Sequence, residues 1–121
     1  MREIKFRAWD KQDKIMYDWE EISIEKEQVF IRDGDLYKTF EQVELMQYTG
    51  LKDKNGKKIF EGDIVETEYK AKGIVEWQKE KAGFDFNTKY PMWPHPIYLM
   101  GGDREIIGNI YENPELLKAD E

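Results

Sequence analysis

The stretch Tyr48-Thr-Gly-Leu-Lys-Asp-Lys-Asn-Gly-Lys-Lys-Ile-Phe-Glu-Gly-Asp-Ile-Val65 decides how this chain folds. Leu51, Ile59, Phe60, Ile64 and Val65 are apolar and call for burial. Between them lies a polar segment, Lys52 to Lys58, with Asn55-Gly56 inside it. Both residues of an Asn-Gly pair tolerate positive φ, so the pair predicts a tight reversal. Gly50 and Gly62 supply two more points where the backbone can bend. The stretch therefore reads as a strand end, a loop and the entry to a new strand at Asp63, with one meander of strands before it and another after it.

Working backwards, Ile4 to Trp9 alternates apolar and polar residues, as a half-buried strand does. Asp10 to Lys14 is a polar turn, and Ile15 to Trp19 is the returning strand. Ile22 and Ile24 alternate with the polar residues Glu21, Ser23 and Glu25 in a further short strand. Gln28 to Arg32 and Leu36 to Phe40 flank Asp33-Gly34-Asp35, a hairpin signal. From Phe40 to Tyr48 two periods compete. Phe40, Val43 and Met46 step by three, while Val43, Leu45 and Gln47 alternate. The reading adopted is a helical turn at Glu41 to Glu44 followed by a strand.

Working forwards, Asp63 to Tyr69, Ile74 to Gln78, Gly83 to Asn87 and Glu105 to Tyr111 read as strands. Lys70 to Gly73 makes the first turn between them. Tyr90 to Leu99 holds three of the four prolines and does not suit an interior strand. Asn113, with Pro114 at the first helical position, predicts a short helix over Pro114 to Lys118.

The fold class expected is mainly β, a β-rich α+β domain. At 121 residues it reads as one domain. Hairpins (1–48) precede an SH3-like small barrel (49–112), and a helical turn and tail (113–121) close the chain. Short strands at turn-punctuated spacing and the heavy use of Tyr, Phe and Trp agree with that class. Net charge is −7, and acids outnumber bases on both sides of the central stretch. Such acidity favours solubility and argues against duplex DNA held by the whole surface. Cysteine is absent, which excludes disulfides, thiol nucleophiles and thiolate metal sites. No apolar run is long enough for a membrane helix, and the first residues have no secretory apolar core.

Three blocks carry a family resemblance: Met1-Arg-Glu-Ile-Lys-Phe-Arg-Ala-Trp-Asp10, Met46-Gln-Tyr48 running on through Val65, and Ile107-Gly-Asn-Ile-Tyr-Glu-Asn-Pro-Glu-Leu116. In this order they resemble the YopX family of phage and prophage proteins. The resemblance implies a phage-borne cytoplasmic protein, an SH3-like barrel part and self-association. It brings no catalytic residues with it.

Candidate sites are few. Asp53-Lys-Asn-Gly56 looks like the centre of a calcium loop. Aligning Gly56 with the invariant glycine, however, puts Leu51 and Gly62 at ligand positions, so a plain turn is expected. His95 is the one histidine, set between Pro94 and Pro96 without a cysteine to help it hold metal. Gly50 to Lys58 has the wrong glycine spacing for a phosphate loop and lacks its Ser or Thr. Glu61 and Asp63 flank Gly62 and offer a carboxylate pair of the kind hydrolases use; a solvated strand entry is the competing reading. Lys52, Lys54, Lys57 and Lys58 surround a single acid, Asp53, and could contact an anion such as phosphate; ordinary solvated surface is the competing reading. Of the tryptophans, Trp9, Trp19 and Trp77 fall in expected strands and are read as core, rather than as stacking platforms for single-stranded nucleic acid.

Tyr90, Met92, Trp93 and Tyr98 are the expected interface. They lie in a proline-stiffened run rich in aromatics and methionine and poor in charge, the composition of an interface core. The competing reading is a lid over the chain's own barrel. The leading functional reading is a non-enzymatic, self-associating module that contacts a host or phage protein, with no cofactor or metal. A nucleic-acid accessory protein using the lysine loop comes second, and a carboxylate hydrolase last.

Overall fold

The computed structural model describes residues 3–31, 37–67, 72–78, 82–87 and 104–117. Strands dominate them, so the protein is mainly β. The chain divides into two compact units, Met1–Tyr48 and Thr49–Glu121.

In the first unit, β1 (Phe6–Asp10) and β2 (Ile15–Tyr17) form a hairpin, with Ala8 opposite Tyr17. A 3-10 turn, Trp19–Glu21, leads into β3 (Ile22–Glu25). β3, β4 (Gln28–Ile31) and β5 (Tyr37–Thr39) make a three-stranded antiparallel sheet of their own. β6 (Val43–Lys52) then returns to β1, pairing Phe6 with Gln47 and Asp10 with Val43. The first half is thus not a simple meander, because β3–β5 are inserted between two partner strands. Ala8, Ile22, Val29 and Val43 form its core, with Tyr17, Trp19, Ile24 and Leu45 packed around them.

The expected helical turn at Glu41–Glu44 is not formed, since β6 already begins at Val43. The misleading three-residue step has a physical cause. Val43 and Leu45 pack on one face of β6, while Met46 and Tyr48 are buried on the other. A strand whose burial changes face midway imitates a helical period.

In the second unit, β6 runs past Tyr48 and is hydrogen-bonded to β7 (Lys58–Phe60), a strand not expected before Asp63. β8 (Asp63–Thr67), β9 (Lys72–Gln78) and β10 (Gly83–Asn87) follow as antiparallel neighbours. β11 (Arg104–Asn109) closes on the free side of β8, giving the order β10-β9-β8-β11. Ile59, Val65 and Val75 form the core here, with Phe84 and Ile106 against it. Ile64 is fully buried too, whereas Leu51, expected inside, is exposed.

The C-terminal helix is corrected to a single 3-10 turn, Pro114–Leu117. Asn113 spends its side chain elsewhere: its Oδ1 accepts the Asn109 N–H at 3.2 Å. Gly108 leaves room for this, because a Cβ there would lie 2.6 Å from that oxygen.

Candidate functional site

The hairpin joining β6 to β7 carries the lysines and is built around Asp53. The Asp53 N–H donates to the Lys57 carbonyl at 2.8 Å, and the Gly56 N–H donates to the Asp53 carbonyl at 3.0 Å. This is a three-residue loop ending in a left-handed glycine, Gly56 at φ +81°. Asn55 does not share the positive φ that the Asn-Gly pair had suggested. The Asp53 side chain is 7% exposed. Its Oδ1 accepts the N–H groups of Asn55 and Lys57, both at 2.9 Å, and its Oδ2 accepts the Ile106 N–H of β11 at 3.0 Å. Burial alone would push this carboxyl up, but the three backbone donors prevail and hold it below its ordinary value. Asp53 therefore holds the loop in shape and fixes it to the last strand.

The four lysines stand on this frame. Lys52, Lys54 and Lys57 are exposed and Lys58 is partly buried. Lys54 lies 3.5 Å from Glu105, so part of the positive charge is answered within the unit. Glu61 and Asp63 do not share a strand face. Glu61 and Gly62 belong to the turn after β7, with Gly62 at φ +84°. Asp63 is 2% exposed, and its Oδ2 accepts the Phe60 N–H across that turn at 2.8 Å. Gly62 itself donates to the Val75 carbonyl and accepts from Ile110. The expected solvated strand entry is therefore a buried carboxylate that shapes a turn.

A third buried acid lies in the first unit. Asp10 is fully buried at the end of β1. Its Oδ1 accepts the N–H groups of Gln12 and Asp13, and Lys38 lies 3.4 Å from its Oδ2. Burial raises its carboxyl, but those donors and Lys38 together bring it below the ordinary value. Tyr17 is pushed up by burial and then by the charges of Asp10 and Asp13. The only sequence signal was an acid at the last position of a strand, immediately before a polar turn, where Asx-type capping is common. Asn109 behaves likewise: its Oδ1 accepts from Tyr111 and Glu112, and its Nδ2 donates to Glu112.

The tryptophans divide. Trp19 lies in the 3-10 turn rather than in a strand, 6.1 Å from the Phe6 ring. Trp77, expected in the core, is 47% exposed and stands edge-on to Phe84 at 5.1 Å. Tyr90, Met92, Trp93, Tyr98 and His95 lie outside the described residues.

A mainly β chain with this element order and these sequence blocks defines a class. The model of the YopX protein family matches residues 5–118, and the chain belongs to that family. Among solved structures it is similar to protein EF1440 from Enterococcus faecalis, at 28% identity and a TM-score of 0.70, covering 98% of this chain and 100% of that one. It is also similar to the protein yopX from Bacillus subtilis, at 20% identity and a TM-score of 0.57 over the whole of both chains, a likeness of fold alone. No curated protein matches the chain.

Proposed function

We propose that this protein is a phage- or prophage-borne binding module without enzymatic activity, acting in the host cytoplasm. It associates with copies of itself and contacts a host or phage protein. The observation that carries the reading is the run Tyr90 to Leu99, which sets Tyr90, Met92, Trp93 and Tyr98 among three prolines with few charges. Proline stiffening lowers the entropy lost on docking, and such composition marks the centre of an interface. The exposed Trp77 supports it, since tryptophan is enriched among the anchors of interfaces.

The non-enzymatic part of the reading is supported by how the buried acids are used. Asp53 and Asp63 both accept backbone N–H groups, and Asp10 adds Lys38 to two such donors. Carboxylates occupied in this way shape turns. The hydrolase reading is weakened by the engagement of Asp63 with the Phe60 N–H, and the nucleic-acid reading by Glu105 beside Lys54. The strand order β10-β9-β8-β11 also suits the SH3-like barrel part of the proposal.

Trp93→Ala tests the reading. Removal of an interface anchor should cost about 2 kcal/mol or more of association and shift light scattering towards monomer, with unchanged circular dichroism. A variant that stays assembled but melts earlier makes the run a lid over its own unit instead.

A further inference from the structure

We propose that Asn55 is a latent site of self-deamidation that Asp53 holds in check. Asn55 and Gly56 are both exposed, and the space where a Gly56 side chain would project is open. The residue after Asn55 thus offers no Cβ to hinder attack on the Asn55 amide. In that reaction the Gly56 backbone nitrogen bonds to Asn55 Cγ. The Cγ–Nδ2 bond breaks, and ammonia leaves carrying the Gly56 amide proton. Water then opens the five-membered imide at either carbonyl, leaving aspartate or isoaspartate. No oxidant or cofactor is required.

The fold opposes ring closure. The attacking nitrogen is engaged by the Asp53 carbonyl at 3.0 Å. The N–H groups on both sides of the pair, those of Asn55 and Lys57, are held by Asp53 Oδ1 at 2.9 Å. Ring closure needs Gly56 N to swing towards Cγ, so these bonds must open first. The departing amide nitrogen faces Glu105 Oε1 at 3.5 Å, where a new carboxylate would meet an existing one. Conversion would add negative charge to the lysine loop, and the isoaspartate form would lengthen the backbone inside a turn that Asp53 fixes to β11. The site is a chemical timer whose rate reports opening of the hairpin.

The test uses the full chain at mildly alkaline pH, in native buffer and in urea, with peptide mapping to separate the asparagine, aspartate and isoaspartate forms. Native conversion should be slower by roughly tenfold or more, the factor that about 1.4 kcal/mol of restraint supplies. Asp53→Ala should move the native rate towards the urea rate, while Glu105→Gln, which leaves the backbone bonds intact, should leave it slow. Equal rates in native buffer and urea would overturn the proposal, as would a folded Asp53→Ala protein that converts as slowly as wild type. If Asp53→Ala does not fold, hydrogen exchange at the wild-type Gly56 amide decides instead. Protection is expected, and exchange at the unprotected rate contradicts it.

Discussion

At the scale of single residues, the second unit depends on where Asp53 sends its two oxygens. An amide has only one acceptor oxygen, so Asp53→Asn must abandon either the Ile106 N–H or the pair from Asn55 and Lys57, and it aims a donor at a donor. The expected loss is about 2 kcal/mol, read as a lower urea midpoint. The pH dependence has a definite sign. The folded carboxyl lies below its unfolded value. Its contribution is therefore complete above the unfolded value of about 3.9 and is lost as pH falls through the folded one. The wild-type advantage over Asp53→Asn should accordingly close on acidification below about pH 4. Gly56 is a separate case, because nothing lies within 4 Å of where its Cβ would stand and the cost of a side chain is conformational. Gly56→Val should destabilise by about 1–3 kcal/mol through strain at φ +81°. Gly56→Asn should cost less, because asparagine tolerates the left-handed region. Equal melting temperatures for Gly56→Val and wild type would contradict the turn assignment.

At the scale of elements, the strands were largely legible in the sequence, but their partners were not. Alternation around Phe6 and Ala8, or Ile22 and Ile24, is local and shows a strand directly. The pairings β1 with β6 and β8 with β11 join residues far apart in sequence, and no local pattern encodes them. Turns were legible only where their residues are specialised. Gly56 announced its hairpin, whereas the β3–β4 turn is made by Lys26 at φ +46° and Glu27 at φ +64°, neither of them a usual choice. That turn therefore carries strain, and Lys26→Asn with Glu27→Gly should stabilise the protein by about 1–2 kcal/mol. A thermal melt checks this, and a lowered melting temperature would mean the two side chains hold something their backbone angles do not reveal. The buried acids were illegible for a related reason. Asp10, Asp53 and Asp63 look like ordinary polar turn residues until the backbone N–H groups around them are placed.

At the scale of the whole molecule, acidity and the lysine loop pull in opposite directions. The chain carries a net −7, and Lys54 has Glu105 beside it. So few phosphate contacts release few counterions, and duplex binding should be undetectable near physiological salt. A micromolar complex at that salt, abolished when Lys52, Lys54, Lys57 and Lys58 are all changed to Gln, would make the loop a nucleic-acid surface after all. Association between copies of the chain, as proposed above, is read by sedimentation equilibrium of the wild-type protein over a wide concentration range. The average mass should rise with concentration towards a whole multiple of the monomer. A monomer mass at every concentration would contradict it.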